Sequence, residues 1–195
     1  MLTIGVLALQ GAIKEHLDRL QSLPQVKGIL VKTTMELEDV DGLILPGGES
    51  TAMGKLLREF DLLEPLTAKI KAGLPVWGTC AGMILLAKSI SGQPDNHLGV
   101  MNICVQRNGY GSQLDSFSVN TVLPDIANTP IPLVFIRAPY VESVGQDVKI
   151  LAKIDDKIVA VEQDNMLATA FHPELTSDLT FHKYFADKVR KAQTA

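Results

Sequence analysis

The chain has 195 residues, of which 46% are hydrophobic and 21% charged; 18 basic residues face 22 acidic ones, for a net charge of -4. That length suits one soluble domain spanning residues 1–195, and the scattered basic residues leave no footprint for nucleic acid or an anionic membrane surface. Two cysteines cannot build a disulfide framework, so a reducing cytoplasmic setting is expected.

Met1-Leu-Thr-Ile-Gly-Val-Leu-Ala-Leu-Gln10 has no basic leader, and its apolar run is too short to span a bilayer. Residues 2–9 therefore read as a first buried strand and not as a signal peptide. Residues 12–23 carry Ile13, Leu17 and Leu20 at helical spacing, and residues 28–31 are apolar again, which makes one βαβ unit. Another strand is expected at 42–46. Ser50 is placed to cap a helix whose inner face would hold Met53, Leu56, Leu57 and Phe60, and a further helix stops at Gly73. Continuous apolar strands between amphipathic helices imply an α/β fold, a single domain with a mostly parallel central sheet flanked by helices.

Over residues 98–171 the texture changes to shorter strands separated by Pro, Gly, Asn and Asp, for example 148–154, 158–161 and 166–171. These predict additional antiparallel strands in the second half, with a hairpin at Ile154-Asp-Asp-Lys-Ile158. Cys104 reads as a strand core residue. A last amphipathic helix at 178–191 closes the domain.

Within this frame Cys80 stands out. Pro75-Val-Trp-Gly-Thr-Cys-Ala-Gly-Met-Ile-Leu-Leu-Ala87 is a short apolar strand that breaks at Gly-x-Cys-x-Gly and runs into an apolar helix. Glycines two before and two after the cysteine let strand and helix approach closely, while the central residue takes a strained backbone and presents its side chain at the apex. That is a nucleophile elbow with sulfur as the nucleophile. The unpaired N–H groups of the new helix favour thiolate over thiol.

A thiolate nucleophile needs a base. His172 stands in Ala170-Phe-His-Pro-Glu-Leu175, where Pro173 forces it into an extended conformation. In extended geometry residues i and i+2 share a side, so Glu174 is placed to orient the imidazole as the third member of a triad. His97 and His182 read as surface or helix-face residues, and His16 is open. Attack on a carbonyl also calls for N–H donors near the sulfur, and Pro46-Gly-Gly-Glu-Ser-Thr51 can supply them at the carboxyl edge of the sheet. The loop lacks the Gly-Lys-Ser/Thr ending of a phosphate-binding P-loop.

Pro46-Gly-Gly-Glu-Ser, Gly78-Thr-Cys-Ala-Gly and Phe171-His-Pro-Glu, in this order, resemble the triad-type (class I) glutamine amidotransferase family. Leu7-Ala-Leu-Gln-Gly-Ala12, Arg107-Asn-Gly-Tyr-Gly, Asp115-Ser-Phe117 and Val134-Phe-Ile-Arg-Ala-Pro139 are similar to one branch of it, the glutaminases that serve pyridoxal 5'-phosphate synthase. The resemblance implies a flavodoxin-like fold and hydrolysis of L-glutamine to L-glutamate and ammonia. The ammonia would pass to a separate synthase subunit within a large hetero-oligomer. By the same resemblance Cys80 attacks the side-chain amide, His172 moves protons, Glu174 holds His172, and a glutamyl thioester awaits water. Gly47, Gly48 and Glu49 would line the glutamine site together with Arg107, Ile136 and Arg137. A free amino acid carries both charges, which suits a carboxylate for its ammonium and guanidinium groups for its carboxylate. Gln10, Gly11, Gly48 and Ala81 are implied to serve the oxyanion pocket and its activation, the Gln10-Gly11 segment acting when the synthase docks. Neither cofactor nor metal is implied for this subunit.

One departure from the branch is Tyr110-Gly-Ser-Gln113, where Ser112 replaces an expected arginine; Trp77 is also larger than expected. Two other readings share the motifs: a stand-alone cysteine hydrolase or peptidase, and a non-catalytic thiol-sensing module. The set Glu49, Arg107 and Arg137 argues against a peptidase, which must leave one backbone end of its substrate open. Intact His172 and Glu174 argue against a silent module.

Overall fold

Leu2–Leu7 forms strand β1 because its apolar residues are buried and a parallel neighbour on each side takes up its backbone polar groups. The computed structural model describes residues 1–109 and 116–194. After β1 come α1 (Ile13–Gln21), β2 (Val26–Val31), α2 (Thr34–Glu38), β3 (Gly42–Leu45), α3 (Ser50–Glu59), α4 (Leu63–Lys71), β4 (Val76–Thr79) and α5 (Ala81–Leu86). The second half adds β5 (Ala87–Ile90), β6 (Met101–Gln106), β7 (Ser116–Leu123), β8 (Ala127–Ile136) and β9 (Tyr140–Val144). It ends with β10 (Lys149–Ile154), β11 (Lys157–Gln163), β12 (Met166–Thr169), a 3₁₀ turn at Pro173–Leu175 and α6 (Thr180–Thr194).

Strands β2, β1, β3, β4 and β12 lie side by side in parallel. The sheet continues antiparallel through β11, β9 and β6, with β5 parallel to β6 and β10 paired with β11. Strands β7 and β8 make a separate antiparallel ribbon. The expected α/β architecture, parallel first and antiparallel later, is what the chain adopts. No helix among the described residues is long and apolar enough to cross a membrane.

Several details differ from the sequence reading for identifiable reasons. The helix α2 was not expected, although Thr33 and Glu36 form a reciprocal capping box that starts it. Glu49, not Ser50, caps α3, its carboxylate accepting from the Thr51 and Ala52 N–H groups. Phe60 lies beyond the last turn of α3 and is exposed rather than on its inner face. In β6 the buried positions are Met101, Ile103 and Val105, so strand alternation puts Cys104 on the other face, half-buried, with its sulfur 3.5 Å from the Glu142 carboxylate. The hairpin turn forms as read, with Asp155 and Asp156 at φ of 48° and 63°.

Alternation along β4 decides which helix meets which side of the sheet. Trp77 points to the face covered by α1 and α6, where its ring meets His16, Phe181, His182 and Phe185. Gly78 faces the opposite way, onto α5, and Thr79 turns back toward His16. The approach on the α5 side leaves no room for side chains. A Cβ on Gly78 would stand 2.4 Å from the Gly82 carbonyl, and one on Gly82 would stand 2.1 Å from the Leu45 carbonyl oxygen. Gly82→Ala is therefore expected to lower stability by about 1–3 kcal/mol, because backbone and not a pliable side chain must move. Urea unfolding midpoints measure this, and an unchanged midpoint would mean that α5 can leave β3 at no cost.

Candidate active site

Four parallel strands deliver the candidate residues to one edge. Gln10 and Gly11 follow β1, Gly47 and Gly48 follow β3, Cys80 follows β4, and His172 follows β12. These strands are consecutive neighbours in the sheet, so at about 4.8 Å per strand their ends span roughly 15 Å. The chain moves from β1 outward to β2 and then back to β3, which opens a crevice at the carboxyl ends of the strands. There the structure has a pocket of about 530 Å³, lined by every sequence-predicted site residue except Glu174, which lies behind His172.

Cys80 occupies the elbow with φ 49° and ψ -103°, a conformation costing about 1–3 kcal/mol in a non-glycine residue. Hydrogen bonds hold it there: its N–H donates to the Thr169 carbonyl at 2.7 Å, and its carbonyl accepts from Met83 N–H at 3.1 Å. His172 is tied by its own N–H to the Val134 carbonyl at 2.8 Å. Its Nδ1 lies 2.7 Å from Glu174 Oε1, and its ring lines the pocket together with Cys80. The reason for the Glu174 contact differs from the one expected. Glu174 sits in the 3₁₀ turn Pro173–Leu175, and the turn, not extended geometry, folds its carboxylate back onto the ring. Burial pushes the imidazole toward its neutral form, but hydrogen bonds to Cys80 and Glu174 and their charges outweigh it and raise its pKa to about 10. Gly47 makes room for the pair: a Cβ there would stand 2.4 Å from His172 Cε1 and 3.4 Å from Cys80 Cβ.

The two glycine-bearing loops interlock. Ala12 N–H donates to the Gly47 carbonyl at 2.9 Å, and Glu49 N–H donates to Gln10 Oε1 at 2.8 Å. Gly11 needs its φ of +111° and its lack of a side chain, since a Cβ would fall 2.0 Å from the Gly47 oxygen. Glu49 is already engaged: besides capping α3 it pairs with Arg107 Nη2 at 3.1 Å, while Arg107 Nη1 reaches Thr51 Oγ1 at 3.3 Å. Partial burial disfavours its charge, but the Ala52 and Thr51 N–H groups and Arg107 win and lower its pKa. A carboxylate offers about four acceptor sites, so Glu49 retains capacity for a further donor. Ile136 and Arg137 stand exposed on the pocket wall, Arg137 at φ 41°.

Sequence reading missed a buried polar cluster behind Glu174. His182 is fully buried and not on the surface, because the face of α6 that carries Phe181 and Phe185 packs it against Trp77. Its Nε2 lies 3.0 Å from His16 Nδ1, and His16 Nε2 lies 3.2 Å from Thr79 Oγ1 and 3.5 Å from Glu174 Oε2. His97 is likewise half-buried, its ring against Gly54. Ala12, Ser50, Ile84, Asn108, Pro139 and Leu175 also line the pocket, with no chemical signature to mark them beforehand. Tyr110, Gly111, Ser112, Gln113 and Asp115, including the departure at Ser112, lie outside the described residues. No group of His, Cys, Asp and Glu among the described residues is arranged to hold a metal ion.

Comparison with known proteins adds to this geometry. Residues 6–191 match the model of the SNO glutamine amidotransferase family. The chain is 57% identical over 189 residues to the pyridoxal 5'-phosphate synthase subunit PdxT of Ruminiclostridium cellulolyticum, covering 97% of this chain and 100% of that one. It is 53% identical over 191 residues to the PdxT of Clostridium botulinum, covering 98% and 99%. Among solved structures, a crystal structure of a glutamine amidotransferase superposes with a TM-score of 0.90 at 41% identity, over 96% of this chain and 98% of that one. Another glutamine amidotransferase, from Thermotoga maritima, shares the fold at a TM-score of 0.59 and 15% identity, over 100% of this chain and 86% of that one.

The histidines set opposite pH limits on stability. Burial first, then the neighbouring His182 and His172, holds His16 well below its ordinary 6.5, and burial with Arg19 lowers His182 to about 3. Below pH 6.5 the unfolded chain gains protons that these folded rings refuse, so stability falls as pH drops. His172, raised to about 10, contributes stability that is full below 6.5 and lost as pH rises through 10. Stability should therefore peak near pH 6.5. His182→Asn should flatten the acid side between about pH 6.5 and 5, and His172→Asn the alkaline side up to about pH 10. Urea midpoints across pH measure both slopes, and slopes unchanged from wild type would refute these assignments.

Proposed function

We propose that this chain, which belongs to the SNO glutamine amidotransferase family, is the glutaminase subunit of a pyridoxal 5'-phosphate synthase. It hydrolyses L-glutamine to L-glutamate and ammonia and hands the ammonia to a separate synthase subunit in a large hetero-oligomer, in the cytoplasm. The observation that carries the reading is the meeting of Cys80, His172 and Glu174 at one pocket edge, in a chain matching PdxT relatives over nearly its full length.

The chemistry follows from the groups that the fold brings together. Cys80 thiolate, paired with the His172 imidazolium, attacks the side-chain amide carbon of glutamine. Negative charge collects on the former carbonyl oxygen, for which the Gly48 and Ala81 N–H groups, on the same pocket lining as Cys80, are the proposed donors. His172 gives its proton to the amide nitrogen, the C–N bond breaks, and ammonia leaves a glutamyl thioester on Cys80. Neutral His172 then takes a proton from water as the water attacks the thioester. Collapse of that adduct expels the thiolate, releases glutamate and restores the ion pair. Glu174 keeps its charge throughout and holds Nδ1 of the ring.

Recognition of the amino acid falls to the opposite wall. Glu49 takes the ammonium, and Arg107 and Arg137 are the cations available to the carboxylate. Gln10 and Gly11 act on the oxyanion loop: the Ala12 N–H fixes the orientation of the Gly47 carbonyl, and Gln10 Oε1 holds Glu49 N–H. A synthase surface that shifts residues 10–12 thereby shifts the Gly47-Gly48 peptide.

Two measurements test this reading. His172→Asn should cut glutamate release by roughly 10²–10⁴-fold, the usual worth of a general acid–base, and Cys80→Ser should abolish the covalent intermediate. Glutamate release should also rise when the synthase subunit is added, and a rate indifferent to it would remove the two-component reading.

A further inference from the structure

His16, Thr79 and His182 are fully buried behind Glu174, and their polar atoms form a line from helix α6 to the carboxylate. Trp77 walls this line, its ring edge-on to His16 at 5.6 Å and to His182 at 5.0 Å between centroids. Glu174 Oε1 is taken by His172, while Oε2 is buried with no hydrogen-bond partner and with His16 Nε2 3.5 Å away. That separation is long for a hydrogen bond, and the shorter contact of His16 Nε2 is to Thr79 Oγ1. The charged groups around the two rings are Glu174 and His172 on the site side and Arg19 of α1 beside His182.

The contacts select one arrangement of protons. If His16 carried its proton on Nδ1, it would donate to His182 Nε2, and the lone pair on its own Nε2 would face the anionic Oε2. His182 would then carry its proton on Nδ1, a buried atom with no partner. If His16 carries its proton on Nε2, that N–H points at Thr79 and Oε2, and His16 Nδ1 accepts from His182 Nε2–H. Only an acceptor, His182 Nδ1, then goes unpartnered, which is the commoner and milder defect. A doubly protonated His16 is disfavoured by burial and by the neighbouring His182 and His172.

We infer that His16, backed by His182, is a positioning residue for the triad: its Nε2–H faces the free oxygen of Glu174 and keeps that buried carboxylate aimed at His172. This rests on the triad proposed above. Catalytic contacts often lengthen in an unliganded site and tighten during reaction, so the 3.5 Å gap is within reach of closure. Without the donor, one oxygen of a fully buried carboxylate has no polar contact, and the group turns away from the ring. His172 then loses its anionic partner, and the thiolate–imidazolium pair forms only at higher pH.

The test begins with the unmutated protein. In ¹⁵N-histidine NMR spectra, His16 should stay neutral with its proton on Nε2 from pH 5 to 9; a proton on Nδ1, or titration in that range, overturns the inference. His16→Leu should move the pH at which Cys80 reaches half its maximal iodoacetamide alkylation rate upward by about one unit, read on the Cys80 peptide because Cys104 is also free. His16→Gln, which keeps an N–H donor near that position, should return the midpoint toward wild type. In the synthase complex His16→Leu should lower kcat for glutamate release roughly tenfold with KM within about twofold, the pattern of lost positioning rather than lost binding. A folded His16→Leu protein with the wild-type alkylation midpoint overturns the inference, and if that variant does not fold, the wild-type spectra decide. Spectra and alkylation do not depend on the substrate. Absence of glutamine hydrolysis by the wild-type complex would remove the functional reading without touching this one.

Discussion

Everything in the site is referred to the contact between α5 and the sheet at Gly78 and Gly82. Because a Cβ at either position would drive into backbone, helix and strand meet at a distance that only glycine permits, and the one residue turning the corner between them is Cys80. Its positive φ is the local cost of that turn, about 1–3 kcal/mol. The surrounding core offsets it easily: α5 is buried along its whole length, and β4 is buried at each residue. The Cys80 sulfur is thus held in a strained backbone by apolar packing that has no chemical role of its own. The strain aims the sulfur, and burial makes the aim permanent.

A second constraint starts from Glu174. A carboxylate only 2% exposed must find donors, and the described structure gives it imidazoles on two sides. One ring, His172, is held charged by that carboxylate and by Cys80 together. The other, His16, is held neutral by burial and by its imidazole neighbours. Two histidines within reach of one carboxylate therefore have opposite protonation, and the difference comes from which partner lies beyond each ring. His172 has the Cys80 sulfur; His16 has another imidazole and a hydroxyl.

How far the sequence could be read follows the same division. Strand ends, the elbow and the break at Pro173 were legible because each depends on a few neighbouring residues whose geometry is forced, whereas the 3₁₀ turn that carries Glu174 was read as extended backbone. Glycine spacing around Cys80 announces the close approach, and Pro173 announces the break after β12. What the sequence hid depends on residues far apart in the chain. His16 and His182 are separated by 166 positions, and neither neighbourhood shows that the two rings meet. The hydrophobic neighbours Phe181 and Phe185 were the available hint that His182 lies on an inner face. Cys104 misled for the converse reason: in a strand of alternating burial a shift by one residue moves a side chain to the other face, and apolar character alone does not fix the phase. Glu49 was read for its charge, and its service as the cap of α3 went unseen, because an acidic residue before a helix can serve the helix and a ligand together.

The site divides mechanically as well as chemically. Cys80, His172 and Glu174 are buried and tied to strand ends, so displacing any of them breaks core packing. The loops at 10–12 and 47–49, by contrast, hold each other through two hydrogen bonds near the surface, each worth about 0.5–1.5 kcal/mol. An interaction of ordinary strength at the pocket rim can rearrange the second set and cannot rearrange the first. For a glutaminase that serves a partner, this separation is useful in a specific way. The proposed nucleophile and its proposed base lie together at the strand ends of this chain, while the loop that would receive the developing oxyanion charge is the part a docking surface can reach. Control by a partner then needs no change in the triad, only a change in where one peptide group between Gly47 and Gly48 points.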